Sequence, residues 1–489
     1  MPSNLTVIVL AAGGGTRMKS KTMKVLHPVA GRSMIAHVLA AVQATEPRRV
    51  VAVVGHQREQ VGAHIQALLP DILLAVQEEQ CGTGDAVRVA VEALVASTSG
   101  PVEGTVVVAY GDTPLLEGDS LRAFVAEHEA AERAVSILSG ELANPFGYGR
   151  VVRDDDGDVV AIVEEKDATV DQREIHEINS GILAFEAGFL ADALPRIGND
   201  NAKGEYYLTD TVQIARDAGL TVGAWVIDDV MQTEGANDRV QLADLGRELN
   251  RRIVTRWMRD GVTVMDPATT WIDADVVLAP DVTILPGTQL LGATVVGEDA
   301  VIGPDTTLKD CEIGVGARMV RTHGELAVIG DAANVGPYSY LRPGTRLGVG
   351  GKIGGFVETK NADIGDGAKV PHLSYVGDAE IGQGTNIGAG TIFANYDGVA
   401  KHRTRIGRHA KTASNNTFVA PVEVGDGAGT GAGTVVRRDV PPGALAVSSG
   451  PQRNLVGWTV RRRPGTAQAE AAEAALAESD PVDDGSDDQ

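Results

Sequence analysis

Hydrophobic and polar positions keep two different rhythms along this chain. From Leu5 to about Arg239, short apolar runs rich in β-branched residues (Leu5–Leu10, 50–54 and 105–109) alternate with stretches whose apolar positions recur at helical spacing, as in 33–43 and 85–96. Strands alternating with helices predict an α/β domain with a mostly parallel, doubly wound sheet, whose ligands sit at the carboxyl ends of the strands. Leu242, Leu245, Leu249, Ile253 and Trp257 then follow one helix face, so 240–260 is expected to be a connecting helix. After Gly261 the period becomes six. Ile272, Leu278, Ile284, Leu290, Val296, Ile302 and Leu308 stand at six-residue steps. A second register runs through Ile329, Val335, Leu341, Leu347 and Ile353, and a third through Ile364, Val370 and Val376, with restarts at Ile381, Ile387 and Ile406.

That period predicts an all-β domain over 261–465, a β-helix of hexapeptide repeats. Each repeat is a short strand and a turn, three complete a triangular coil, and each inward aliphatic residue stacks on its counterpart one coil away. The breaks at 309–328 and 393–405 are expected to be protruding loops, which are favoured places for function. Side-by-side association of three such prisms is expected, with sites between them. Composition agrees: 59 glycines among 489 residues suit many tight corners, and 4% aromatic residues suit a narrow prism. The glycines have no three-residue period, which excludes collagen.

The net charge is -23, of which the last 24 residues, with eight acids and no Lys or Arg, supply -8. Such a chain is a poor ligand for nucleic acid or an anionic membrane. The tail 466–489 is expected to be disordered. Arg461, Arg462 and Arg463 before it are either a solvated basic run or a phosphate or coenzyme contact. Cys81 and Cys311 are far apart and have no C-x-x-C partner, which fits a reducing compartment. No signal-peptide pattern and no apolar run of ~18 residues is found, so a cytoplasmic protein is expected.

The first strand runs into Leu10-Ala11-Ala12-Gly13-Gly14-Gly15-Thr16-Arg17-Met18. A glycine loop lets backbone N–H groups approach phosphates, and it can equally be a plain strand-to-helix turn. It is neither a Walker A loop nor a Rossmann fingerprint. Arg17 and Lys24 beside it suit a triphosphate. Asp112, in Tyr110-Gly111-Asp112-Thr113-Pro114 at the end of a strand, is either a metal-binding carboxylate or a turn residue. In the repeat half, Arg342 and Lys360 suit a sugar phosphate or are surface charges. His372 sits at a coil corner, outside the aliphatic slots, as a base or a structural histidine.

These segments, together with Lys24-Val25-Leu26-His27, Gln77…Gln80…Gly82-Thr83-Gly84, Phe146-Gly147-Tyr148-Gly149-Arg150, Glu164, Asn179 and Glu205-Tyr206-Tyr207-Leu208-Thr209-Asp210, resemble the sugar-phosphate nucleotidyltransferases. With the repeat half, the chain from about Leu5 to Gly465 is similar to the family of bifunctional N-acetylglucosamine-1-phosphate uridyltransferases / glucosamine-1-phosphate acetyltransferases. The resemblance implies a uridyltransferase domain at 1–239, a linker helix at 240–260, and an acetyltransferase domain at 261–465 folded as a left-handed parallel β-helix. It implies acetyl-CoA-dependent acetylation of glucosamine-1-phosphate, then uridylyl transfer from UTP, in a cytoplasmic homotrimer that uses Mg2+.

In the first site the resemblance implies that Leu10, Ala11, Ala12 and Gly13 line the nucleotide. Gln77, Gly82 and Thr83 would recognise the uracil end, and Arg17 and Lys24 would neutralise the triphosphate. Tyr110, Gly149, Glu164, Asn179 and Thr209 would hold the substrate, with Asp112 and Asn237 on magnesium. In the second site it implies His372 as general base supported by Glu358. Arg342, Lys360, Tyr375, Asn386 and Tyr396 would take the sugar phosphate, and Ala389, Asn395, Ser414 and Ala432 acetyl-CoA. Trp458 is either a coenzyme contact from the C-terminal arm or ordinary packing.

Several positions depart from the family pattern. Met23 replaces a proline, which is expected to leave the Lys24 loop less preorganised. Cys81 and Asp85 replace Leu and His, and Asp85 is expected to oppose triphosphate binding. Asn415 replaces Asp near the acetyl-CoA end, and Ser449 stands where some members carry a basic residue. Two other readings stay open: a uridyltransferase whose β-helix only trimerises or binds a regulator, and a pure scaffold.

Overall fold

The computed structural model describes residues 4–478 apart from His56, Ser449 and Pro451. The N-terminal half is a nine-stranded sheet. Its strands are β1 (Leu5–Leu10), β2 (Arg49–Val54), β3 (Leu73–Val76), β4 (Thr105–Tyr110), β5 (Val135–Glu141), β6 (Gly149–Arg153), β7 (Val159–Val163), β8 (Glu177–Glu186) and β9 (Val222–Val226). The main order is β9-β5-β8-β4-β1-β2-β3, and β6 pairs with β7 and β8. The centre is parallel, with Leu10 opposite Val53 on one side and Tyr110 on the other. Val7, Ile8, Val9, Val51, Val107 and Val108 are fully buried, so both faces of these strands carry apolar side chains, as a covered parallel sheet requires. β8 departs from a purely parallel sheet: it runs antiparallel to both β4 and β5. Helices α1 (Met34–Gln43) and α2 (Thr83–Thr98) pack against the sheet, and α3 (Asp210–Asp217) lies beyond β8.

Helix α4 (Arg239–Arg259) connects the halves and is capped by the Asp238 side chain. Its Ile253 and Val254 join the core of the C-terminal half, and Asn250 accepts from Ile272 N at 2.9 Å and donates to Thr270 O at 2.8 Å. A second tie is the Arg32–Asp275 ion pair between the halves.

From Thr263 to Leu341 in the C-terminal half, each short strand pairs in parallel with the third strand after it. Ile272 is opposite Leu290, Leu278 opposite Val296, and Ile284 opposite Ile302, each eighteen residues on. Three columns of inward side chains result, and nearly all are at most 5% exposed. Burying one such aliphatic side chain stabilises by about 1.5–3 kcal/mol. Threonines that precede the strands close the corners. Thr288 Oγ1 donates to Leu285 O at 2.7 Å and Thr294 Oγ1 to Leu291 O at 2.8 Å.

The break expected to protrude at 309–328 does not. Strands continue through it, and Thr307 is opposite His323 and Glu312 opposite Val328, sixteen residues on instead of eighteen. The coil shortens its corners and keeps its columns, with Gly324 taking the inward slot between Leu308 and Leu341. The second break does protrude: Ala379 is opposite Thr404, twenty-five residues on, and the extra chain folds back through an antiparallel bridge between Tyr396 and Lys401.

Part of the expected disordered tail is helical. After α5 (Trp458–Arg462), helix α6 spans Ala467–Glu478, with Thr466 Oγ1 accepting from Ala469 N and Ala469 buried. Ala and Glu are strong helix formers, and a threonine cap starts the turn. Ser449 and residues 479–489 lie outside the described residues. No described helix is long and apolar enough to cross a membrane, and both cysteines are free thiols.

Candidate functional sites

The first site forms where β1 and β4 end side by side. Leu10, Ala11, Ala12 and Gly13 leave β1 into the glycine loop, and Gly111 N donates back to Leu10 O. Gly15 has a φ of 58°, and a Cβ there would stand 2.5 Å from Lys24 Cβ, so only glycine lets the loop close on the lysine. Lys24 Nζ forms an ion pair with Asp112 and donates to Asn237 Oδ1 at 2.9 Å. Arg17 Nη2 donates to the same Asn237 oxygen at 2.8 Å. Four residues drawn from four separate segments thus meet at one point. A hard carboxylate oxygen and an amide oxygen already share one cation, the Lys24 ammonium, and this is the kind of donor set that magnesium takes. Among the described residues no group of three or more His, Cys, Asp or Glu forms a metal cluster, so water and phosphate would supply the other ligands.

Met23 keeps the backbone that a proline would have. Its backbone sits at φ -60° and ψ 144°, within proline's own range, and its side chain is buried in the core beside β1.

Gln77, 4% exposed, follows β3 and borders a cleft of about 570 Å3 together with Gly14, Thr16 and Gln80. Gln80 Nε2 donates to Ala12 O at 2.6 Å and ties the two loops together. Gly82 and Thr83 are fastened to the segment before α3: Tyr206 N donates to Cys81 O, Gly84 N to Tyr206 O, and Leu208 N to Thr83 Oγ1 at 3.1 Å. A Cβ on Gly82, whose φ is 112°, would meet Tyr206 O at 2.6 Å. The charge of Asp85 is partnered within the chain. Its buried carboxylate accepts from Gln77 Nε2 at 2.8 Å and is ion-paired with Arg88.

Gly149 and Asn179 are opposite one another on β6 and β8, and Asn179 Oδ1 accepts from Gly181 N at 2.9 Å. Glu164 stands beside Gly149. Burial raises its pKa; Lys203 lowers it, while Asp167, Asp210 and Glu205 raise it further. Burial, with Glu164 and Asp112 nearby, also pushes the Tyr110 hydroxyl far up. Thr209 precedes α3 without capping it. Glu234, which no motif marks, accepts from Tyr148 Oη at 2.6 Å.

The second site lies on the coil surface. Glu358 is opposite Tyr340 and Tyr375, and Lys360 is opposite Gly377, so Glu358, Lys360 and Tyr375 stand on adjacent rungs. Arg342 Nη1 donates to Glu358 Oε1 at 2.9 Å. Lys401, from the protruding loop, faces Lys360 and lowers its pKa. Asn395, 8% exposed, donates to Asp378 Oδ2 at 2.5 Å and stands 3.4 Å from Tyr375 Oη. Gly377 makes room for this pair, because a Cβ there would collide with the Tyr375 hydroxyl. His372 is exposed at its corner, and its carbonyl accepts from Gly390 N, next to Ala389. Asn386 is exposed on a bridge between Lys369 and Lys411, and Tyr396 Oη donates to Gly398 O at 2.6 Å.

Ala389 O accepts from Asn415 N at 2.7 Å, and Ser414 O from Gly433 N beside Ala432. Asn415 has a φ of 58°, a left-handed conformation that Asn and Asp both tolerate. The departure at 415 therefore keeps the backbone. Trp458 stays 39% exposed, with the Arg463 guanidinium of its own chain 5.2 Å from the ring. No local motif marks Asp378 and Lys401, because coil register brings them beside Asn395 and Lys360.

Residues 7–161 match the MobA-like NTP transferase domain family. Over nearly its whole length the chain is similar to curated proteins named "Bifunctional protein GlmU". It is 56% identical to one from Kineococcus radiotolerans over 473 residues, covering 97% of this chain and 95% of that protein. It is 58% identical to one from Rhodococcus jostii over 482 residues (97% and 96%) and 55% identical to one from Streptomyces coelicolor over 478 residues (98% and 98%).

Proposed function

The chain belongs to the bifunctional GlmU family, and from that membership we propose how its two sites divide the work. It is a bifunctional enzyme of UDP-N-acetylglucosamine synthesis: an acetyl-CoA-dependent acetyltransferase for glucosamine-1-phosphate, and a uridyltransferase that joins the product to UTP and releases pyrophosphate.

Uridylyl transfer belongs to the site at the ends of β1 and β4. The meeting of Lys24, Arg17, Asp112 and Asn237 carries this reading. Asp112 and Asn237 would hold magnesium, which supplies charge neutralisation on the triphosphate when bound. Arg17 and Lys24 balance the remaining phosphate charge. Leu10, Ala11, Ala12 and Gly13 lie along the nucleotide, and Gln77, Gly82 and Thr83 read its base. Tyr110, Gly149, Glu164, Asn179 and Thr209 hold N-acetylglucosamine-1-phosphate. Its phosphate oxygen attacks the α-phosphorus in line and pyrophosphate leaves, so the protein contributes position and charge, with no nucleophile of its own.

Acetyl transfer belongs to the coil, which we read as a left-handed parallel β-helix of hexapeptide repeats. His372, supported by Glu358, takes a proton from the substrate ammonium, and the freed amine attacks the thioester carbonyl. The coenzyme thiol leaves as the amide forms. Arg342, Lys360, Tyr375, Asn386 and Tyr396 bind the sugar phosphate. Ala389, Asn395, Ser414 and Ala432 line acetyl-CoA, and Ser414 or a nearby N–H steadies the oxyanion. Three copies assemble side by side in the cytoplasm. An apolar ridge supports that assembly: Tyr338, Phe356 and Leu373, on successive coils, are each more than half exposed, and the first two rings stack 5.2 Å apart.

A coupled assay with glucosamine-1-phosphate, acetyl-CoA, UTP and magnesium tests the division. His372→Ala is expected to abolish acetylation alone and Asp112→Ala uridylyl transfer alone. Loss of both activities from either change contradicts separate sites.

A further inference from the structure

A primary amide can present either its oxygen or its NH2 group to a ligand, and something must decide which. In Gln77 the decision is visible. Nε2 faces two acceptors at once, Gly82 O at 3.1 Å and Asp85 Oδ2 at 2.8 Å. Neither a carbonyl nor a carboxylate can donate, so the atom between them is the NH2 group. Both of its protons are used, and Oε1 takes no hydrogen bond among the described residues. Asp85 is itself held: it lies in the first turn of α2, is buried, and is ion-paired with Arg88 one turn on.

We propose that the Asp85–Arg88 pair fixes the Gln77 amide with its oxygen toward the nucleotide cleft, and so makes Asp85 a specificity-determining positioning residue for the base of the nucleoside triphosphate. This rests on the reading of Gln77 as a base contact. An outward oxygen accepts from the ring imide N–H of uracil. Cytosine presents an acceptor at the same ring position, and two facing lone pairs repel. A site built to bond one N–H rejects the analogue lacking it far more strongly than a site that can turn its amide over. Without Asp85 only Gly82 O would still favour the present orientation, and the flipped amide would offer NH2 to cytosine.

The test is the ratio of kcat/KM for UTP to that for CTP in the full-length protein, with N-acetylglucosamine-1-phosphate as acceptor. Variants are Asp85→Ala, the near-isosteric Asp85→Asn, Arg88→Met and, as a reference, Gln77→Ala. Acetylation of glucosamine-1-phosphate at the coil reports on folding. Asp85→Ala and Asp85→Asn are expected to lower the ratio at least tenfold, chiefly by lowering KM for CTP, and Arg88→Met to lower it less. If Gln77→Ala lowers the ratio and both Asp85 variants leave it unchanged, the positioning role is overturned and the base contact stands. If Gln77→Ala also leaves it unchanged, the base contact falls and the proposal falls with it.

Discussion

Lys24 and Asp112 form an ion pair in which the two side chains are only 15% and 18% exposed. Removing one partner leaves the other charge poorly solvated, a costlier change than losing a surface pair. Lys24→Met is expected to lower uridylyl transfer by about 10²–10³-fold, the usual effect of losing one preorganised charge-stabilising group, and to leave acetylation as it was. Pyrophosphate release and loss of free amine, followed in the same sample, check this.

Gly15 lies against the Cβ of that lysine with a left-handed backbone. Gly15→Ala is expected to push Lys24 off Asp112 and cut kcat/KM for UTP by about 10²-fold, as a misplacement of about 1 Å can. An unchanged kcat/KM would show that the loop yields elsewhere.

Glu164 links the sugar site to pH. Burial, its main influence, raises its pKa in the folded protein above the unfolded value. Its contribution to stability is therefore fully present below the unfolded carboxylate pKa of about 4.3 and is lost as pH rises through the raised folded value. Glu164→Gln cannot ionise. Its melting temperature relative to the parent is expected to be higher at pH 8 than at pH 4, while KM for N-acetylglucosamine-1-phosphate rises. An offset that is the same at both pH values would mean that ionisation is not the cause.

At the coil, Gly377→Ala is expected to displace Tyr375 and Asn395, because the added methyl group meets both side chains. The overpacking costs about 1–3 kcal/mol, and acetylation is expected to fall while uridylyl transfer persists. Thermal unfolding and the two assays together separate local displacement from loss of the fold.

Much of this was legible in the chain because the patterns are repetitive. The six-residue steps through Ile272, Leu278 and Ile284 map onto the three buried columns, and the β-branched runs map onto β1, β2 and β4. The shortened coils at 309–328 were hidden, because losing a corner residue breaks the period without breaking the pairing. The antiparallel course of β8 was hidden too, since an apolar run has no direction. Composition hides the helix at Ala467–Glu478: its alanines and glutamates, poor in anchors, still make a helix that Thr466 caps. Lys24 and Asp112 stand in separate motifs, and the fold brings them into one ion pair. The hold of Asp85 on Gln77 is a side-chain contact that spacing does not reveal.

The lengthened turn that carries Tyr396 and Lys401 leaves undisturbed alignment on both sides. Ile364 still faces Ile381 before it, and Ile406 faces Val424 after it. A prism whose levels touch only their immediate neighbours can therefore acquire new chemistry by local insertion, and can gain or lose whole levels, without renegotiating its interior. Catalytic novelty and structural integrity are written in different residues of the same turn.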